Sequence, residues 1–410
     1  MFSLFAPQKQ PYILVIMVAI YYAIIPLVLY VIHNEQHYLT GFLVGIVGCL
    51  FILFGLITAS FVGSIRCRVS KFFPSDYLVY TIFILFFVFL VLVYVTSESI
   101  PLHQALTGAS SDEVAMSREN FLKARTGWQA VFIYINALLA GSFLPFVLML
   151  SFYEKRRARW LVFVIFFLYS VSFMEKAFFL KCVLPMLSFY ALKRDSKISM
   201  KRYLLILIVP VILFVNSIVA GFGAGNEHHD TLGTTNYFNA GYVTYANDNP
   251  LEFILWRIVA VPVFTYIDSL VYFENELSGR LLNGSTSSFL SILFGFEKIH
   301  YERLVFEYQW GQNNSGTGSA NSTYLAEAYV NYGYFGVMFF SYTVGVICSL
   351  MSSSKNVALS SLSILFSIAV FTGGLIGTLL SNGYLLLFIV CYILKVKHTY
   401  QYQYESVRHA

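Results

Sequence analysis

Apolar and polar residues fall into long blocks along this chain, not into the short alternations of a soluble fold. Ten blocks qualify as membrane-crossing helices, the fifth of them short. They cover approximately residues 12–32, 39–64, 77–96, 128–153, 160–174, 177–193, 203–220, 323–350, 357–379 and 381–395. Residues 1–30 show no cleavage-site pattern after a short apolar core, so the first block is expected to stay as a span. Two connections are long, 97–127 and 221–322. The second contains two further apolar pieces, LEFILWRIVAVPVFTYIDSLVYF (251–273) and SSFLSILFGF (287–296). The first piece is almost long enough to span, but Pro262 and three charged residues disfavour a simple crossing. Both pieces are expected to lie at the outer membrane surface with their apolar sides toward lipid. A spanning 251–273 is the alternative.

The pattern predicts an all-α polytopic membrane protein of about ten transmembrane helices. Residues 1–220 would hold helices one to seven, 221–322 a large outer loop with interfacial helices, and 323–410 the last three helices and a tail. Composition agrees: 58% of the 410 residues are hydrophobic, 11% are charged, and mean hydropathy is +0.69. A soluble domain carries about 25% charged residues.

Charge orients the blocks. Alternate loops collect Lys9, Arg66, Arg68, Lys71, the Lys155–Arg159 cluster, the Lys193–Arg202 cluster, Lys355, Lys395, Lys397 and Arg408. These are 17 of the 26 basic residues, and the rule that cytoplasmic loops are basic puts this set and both termini in the cytoplasm. The loops 97–127 and 221–322 then lie outside, and the second is net acidic. The five cysteines fall in spans or on the cytoplasmic side, so no disulfide is expected in the large loop. Nucleotide-binding motifs and metal-ligand spacings are lacking, and the net charge of +5 reflects loops facing anionic lipid, not nucleic acid. Adjacent histidines in GNEHHD (225–230) do not readily share one face, so no metal is assigned.

A long outer loop rich in Tyr, Trp, Asn, Ser and Gly suits an amphipathic substrate with a lipid tail, a charged head and a sugar portion above it. Three stretches carry a resemblance: WRIVAVPVFTYIDSLVYF, then LLNGSTSSFL, then NSTYLAEAYVNYGYFGVMFFSYTVG. Together with MEKAFFL (174–180), they resemble the O-antigen polymerase (Wzy-type) family. The resemblance implies a GT-C-like fold in the bacterial inner membrane. It implies no cofactor, an undecaprenyl-pyrophosphate-linked oligosaccharide substrate, surrounding membrane lipid, and a separate chain-length regulator as partner. The implied reaction moves the growing glycan from its lipid diphosphate onto the nonreducing end of a new unit at the periplasmic face, with inversion. An O-antigen ligase-type transferase shares this layout. A lipid-linked oligosaccharide flippase is the third reading, but it should show compact loops, repeat symmetry and charges deep in several spans.

Such a reaction needs cations on the diphosphate and a base beside the attacking hydroxyl. Arg257, on an apolar interfacial piece, is the first candidate for the diphosphate, since a guanidinium grips phosphate with two parallel hydrogen bonds. Its plain alternative is an arginine reaching to lipid phosphates. Arg280 and Arg303 are further candidates, or surface ion pairs. Lys176 and Lys181 begin the sixth span and are candidates too, or members of an ion pair with Glu175. Asn321-Ser322-Thr323 reads as a helix start whose N–H groups favour an anion. Glu327 and Asn331 follow on one face with Tyr324, so Asn321, Tyr324 and Asn331 are candidate sugar contacts. Gly333 and Gly336 should allow close helix contact. Glu327 and His300 are the candidate bases. For Glu327 the alternative is a packing carboxylate paired with a lysine such as Lys176.

Overall fold

The computed structural model describes residues 5–62, 73–109, 111–173, 178–192, 256–310, 318–320 and 322–396. The predicted span 203–220, the GNEHHD stretch, Lys176 and Asn321 lie outside the described residues. Among the described residues five helices are long and apolar enough to cross a membrane: Pro7–His33, Gln36–Phe61, Ser75–Val95, Gly127–Tyr153 and Tyr324–Ser352. Four shorter apolar helices, Arg159–Ser172, Leu180–Leu192, Val357–Thr372 and Tyr384–Ile393, occupy other predicted blocks. Each helix is named below by its first residue. This is an all-α integral membrane protein.

Prolines explain three of the four places where the described helices widen. A proline inside a helix has no N–H for the carbonyl four residues back, and its ring pushes that carbonyl away. Pro26, Pro145 and Pro262 each stand two residues after a π-helical turn, at Ile20–Ile24, Leu139–Phe143 and Trp256–Ala260. The wider turn accommodates the displaced carbonyl without ending the helix.

The centre of the bundle is the pair of the Gln36 and Tyr324 helices, joined where both lack side chains. A Cβ on Gly55 would stand 2.3 Å from the Tyr342 carbonyl oxygen, and one on Gly345 would stand 2.2 Å from that of Ile52. The two backbones therefore touch, which only small residues permit. Tyr22 fills the adjacent core; its hydroxyl donates to the Phe371 carbonyl at 2.9 Å.

The two ends of the bundle differ in chemistry. At one end a two-stranded parallel ladder pairs Phe73–Pro74 with Leu394–Lys395. Beside it Arg156 bridges Asp76 at 2.7 Å and donates to Glu154 through Nε at 2.9 Å, while Ser75 Oγ donates to Glu154 at 2.6 Å. All these residues belong to the basic set of loops, so those loops meet at a common end. The Ser75 helix, 21 residues and about 30 Å long, separates this end from the other.

At the opposite end the loop between 256 and 310 folds as a cap with its own small core of Phe273, Leu282, Tyr301, Val305, Ala320 and Val330. The Val261–Asn275 helix differs from the expected surface helix. Val263, Tyr266, Ile267 and Leu270 are buried, and the Tyr266 hydroxyl donates to the Gly41 carbonyl at 2.7 Å. Its apolar face is spent on the bundle, and Asp268 on the same helix accepts from Gln309, a protein partner that lipid does not offer. The Ser288–Phe294 helix does present Ile292, Leu293 and Phe294 outward. Arg257 has its backbone in the Trp256–Ala260 turn; its side chain lies outside the described residues.

The last two predicted spans turn earlier than expected. The chain reverses at Gly373-Gly374, between the Val357–Thr372 helix and a short Leu375–Leu380 helix, and not near residue 380. Asn382-Gly383 is instead a break within the final crossing, where Ser142 Oγ donates to the Asn382 carbonyl at 2.6 Å. The apolar run continues through both glycines, so hydropathy alone misplaces the turn.

Candidate functional site

Gly333 organises the site. Its φ of 62° and ψ of −153° break the Tyr324 helix after one short segment. A residue with a Cβ resists that conformation; glycine adopts it freely. The break frees carbonyls that the continuing helix would have used. Leu282 and Asn283 donate to the Val330 and Asn331 carbonyls at 3.0 and 3.1 Å. The Asn331 side chain completes the tie: Oδ1 accepts from the Gly284 N–H at 2.8 Å, and Nδ2 donates to Thr286 Oγ1 and the Glu327 carbonyl at 2.9 and 2.7 Å. Two of the stretches that carried the resemblance, Asn283-Gly-Ser and Asn331-x-Gly333, thus pack on each other. Gly333 is a backbone break and not the helix contact expected of it. Among the described residues Gly336 contacts no other span either: its would-be Cβ lies 2.4 Å from the Ala328 carbonyl, on the segment of the same helix before the break.

Against this clamp lies a cavity of about 530 Å³. Lys123, Arg125 and Tyr134 reach it from one side; Thr286, Lys298, His300, Glu302 and Arg303 come from the cap; Ser319, Ser322 and Glu327 come from the start of the Tyr324 helix. Glu327 is placed by the Gly373-Gly374 turn. A Cβ on Gly374 would lie 2.8 Å from the Glu327 carboxyl carbon, so only glycine lets the carboxylate sit there. The Ile376 N–H donates to Glu327 Oε2 at 3.4 Å. Gly374 is the N-cap of the Leu375 helix and has no side chain to cap it, so Glu327 supplies the acceptor.

The cations are held in different ways. Arg125 is fully engaged, donating to the Phe121 carbonyl, Thr96 Oγ1, Gln129 Oε1 and the Val93 carbonyl at 2.5–3.1 Å. It fixes the wall. Lys298, His300 and Arg303 are exposed and line the cavity together. Partial burial, then the neighbouring Lys298 and Arg303 charges, holds the His300 imidazole below its usual value. Burial and Arg303 likewise lower the Lys298 ammonium, with Glu302 opposing. An anion entering the cavity would offset the charge that Arg303 exerts on Lys298 and His300. Glu302 accepts from Ser319 Oγ at 3.0 Å, and its carbonyl accepts from the Ala320 N–H at 2.9 Å.

Of the residues picked from the sequence, Glu327, His300 and Arg303 come together in this cavity. Tyr324 and Asn331 do not line it. Tyr324 is fully buried with its hydroxyl 3.3 Å from Ser341 Oγ, and Asn331 is spent on the clamp. Arg280 is exposed and apart from the cavity. Lys181 lines a second, mainly apolar cavity of about 400 Å³ on the other side of the Gly373-Gly374 turn, its Nζ 4.6 Å from the Phe178 ring centre. Sequence reasoning missed Lys123, Arg125, Lys298, Glu302, Ser319 and Ser322. The cluster Lys298-x-His300-x-x-Arg303 in a net-acidic loop was a signal available for the cations.

The model of one family, O-antigen polysaccharide polymerase Wzy, matches residues 112–403, a stretch that includes every cavity residue named above. No curated protein and no solved structure matches the chain. With well over half of its length matched, the chain belongs to the O-antigen polysaccharide polymerase Wzy family.

Proposed function

We propose that the protein polymerises oligosaccharide repeat units carried on undecaprenyl diphosphate, by inverting glycosyl transfer in the 530 Å³ cavity. The observation that carries this reading is one cavity holding Lys298, His300 and Arg303 together with the Glu327 carboxylate. The cavity end of the bundle is the periplasmic one, and the ladder end, with its basic loops, faces the cytoplasm.

In the reaction the acceptor hydroxyl of a new unit gives its proton to Glu327. Its oxygen attacks the anomeric carbon of the growing glycan from the face opposite the diphosphate. The bond from that carbon to the diphosphate oxygen breaks, and its electron pair leaves with the lipid diphosphate. Arg303, Lys298 and Lys123 hold the leaving group and take up its charge. Arg257 is a further candidate for the same role. His300 is the second candidate for the general base in the cavity. The energy comes from the glycosyl diphosphate bond, so the reaction calls for no nucleotide.

The test is a surface-polysaccharide gel from a strain lacking the gene, with and without the wild-type gene restored. Polymerisation predicts lipid A core capped by a single unit in the null strain and a full ladder on restoration. Uncapped core with polymer left on its carrier would identify a ligase instead. Single units stranded on the cytoplasmic side would identify a flippase.

A further inference from the structure

The start of the Tyr324 helix carries an unusual substitution of roles. Thr323 is its N-cap, with Oγ1 accepting from the Leu325 N–H at 3.5 Å. Counting from that cap, Ser322 occupies the position just before it and Glu327 the fourth helical position. In many helices these two positions hold apolar side chains that pack together and fix the angle of the incoming chain. Here they hold a hydroxyl and a carboxylate, and both line the cavity.

Ser322 is 2% exposed, and its Oγ has no hydrogen-bond partner among the described residues. A buried hydroxyl left without a partner costs stability. Its backbone is held firmly nonetheless. The Ser322 N–H donates to the Ala320 carbonyl at 2.9 Å, and the Ala320 N–H to the Glu302 carbonyl at 2.9 Å. The backbone that carries the hydroxyl is therefore fixed on the wall of the same cavity as the carboxylate, and the hydrogen-bonding capacity of the hydroxyl is unspent.

We propose that Ser322 is a binding residue for the acceptor sugar. Its Oγ hydrogen-bonds a ring hydroxyl next to the one that Glu327 deprotonates, so Ser322 and Glu327 together form the acceptor subsite. This rests on the polymerase reading above. Sugar rings carry vicinal hydroxyls, and a hydroxyl and a carboxylate on the wall of one cavity can address two of them at once. Diphosphate is a poorer occupant of this corner, because Glu327 repels it.

The experiment uses full-length protein in nanodiscs, a fixed concentration of lipid-diphosphate-linked donor, and lipid-free repeat-unit oligosaccharide as titrated acceptor. Ser322→Ala is expected to raise the acceptor KM roughly fivefold, the worth of one neutral hydrogen bond, and to leave the donor KM unchanged. Its melting temperature should equal or exceed that of wild type, since the unpaired hydroxyl is gone. Ser322→Thr keeps a hydroxyl and should keep much of the affinity. An unchanged acceptor KM in Ser322→Ala overturns the assignment. So does a lowered melting temperature with donor and acceptor KM shifted together, which would make Ser322 a structural residue. Wild-type protein that elongates nothing would sink the polymerase reading, and the subsite with it.

Discussion

At the scale of single residues, charge decides what was legible. Glu327 stands out in the sequence because a carboxylate inside an apolar run is expensive unless something holds it, and the Gly374 turn and the Ile376 N–H do so. Ser322 does not stand out, since small polar residues begin many helices and nothing in the sequence tells a spent hydroxyl from an unspent one. Tyr324 and Asn331 share a helical face with Glu327, but spacing gives only that they are neighbours. Ser341 and the Gly284 loop draw them inward. Arg303 ranked with Arg280 behind Arg257 in the sequence; the structure gives it the cavity, with Lys298 and His300 as neighbours. Arg303→Ala should weaken binding of a polyprenyl diphosphate roughly ten- to hundredfold, as loss of a charged hydrogen bond does. Arg280→Ala should leave it unchanged. Titration of a fluorescent polyprenyl diphosphate into the purified variants checks both.

At the scale of elements, hydropathy located the helices and misjudged how two of them end or lie. The turn at Gly373-Gly374 is hidden because the residues on both sides are equally apolar. The Val261–Asn275 helix reads as a surface helix because its polar residues look solvent-facing, yet Asp268 is buried and accepts from Gln309 Nε2 at 2.7 Å. Burial pushes the Asp268 carboxyl up from 3.8 to about 7, with the Gln309 bond opposing. The folded cap then keeps a proton that the unfolded chain has already lost at that pH. Stability is therefore fullest below pH 4 as far as this group is concerned, and falls as pH rises toward 7, by up to about 1.4 kcal/mol per pH unit. Asp268→Asn keeps the acceptor for Gln309 and removes the charge. It should raise the melting temperature at pH 8 and leave it unchanged at pH 4, read by thermal unfolding in detergent.

At the scale of the whole molecule, blocks and charge pattern predicted the class, and the grouping of alternate loops agrees with Asp76, Glu154, Arg156 and Lys395 meeting at one end. What no pattern shows is which spans touch. The contact of the Gln36 and Tyr324 helices depends on Gly55 and Gly345, in segments far apart in the chain. Gly345→Leu would drive a side chain into the Ile52 carbonyl, and should cost about 1–3 kcal/mol or more and lower the yield of monodisperse protein on size exclusion. The central claim is that polymerisation takes place in the cavity with Glu327 as base. The most direct measurement is elongation of lipid-diphosphate-linked repeat units by purified wild type and Glu327→Gln in nanodiscs, resolved on a gel. The glutamine keeps an acceptor for the Ile376 N–H, so the fold should hold. The account predicts a ladder from wild type and a rate lower by roughly 10²–10⁴ in Glu327→Gln, with diphosphate binding retained. Equal ladders from both proteins would contradict it.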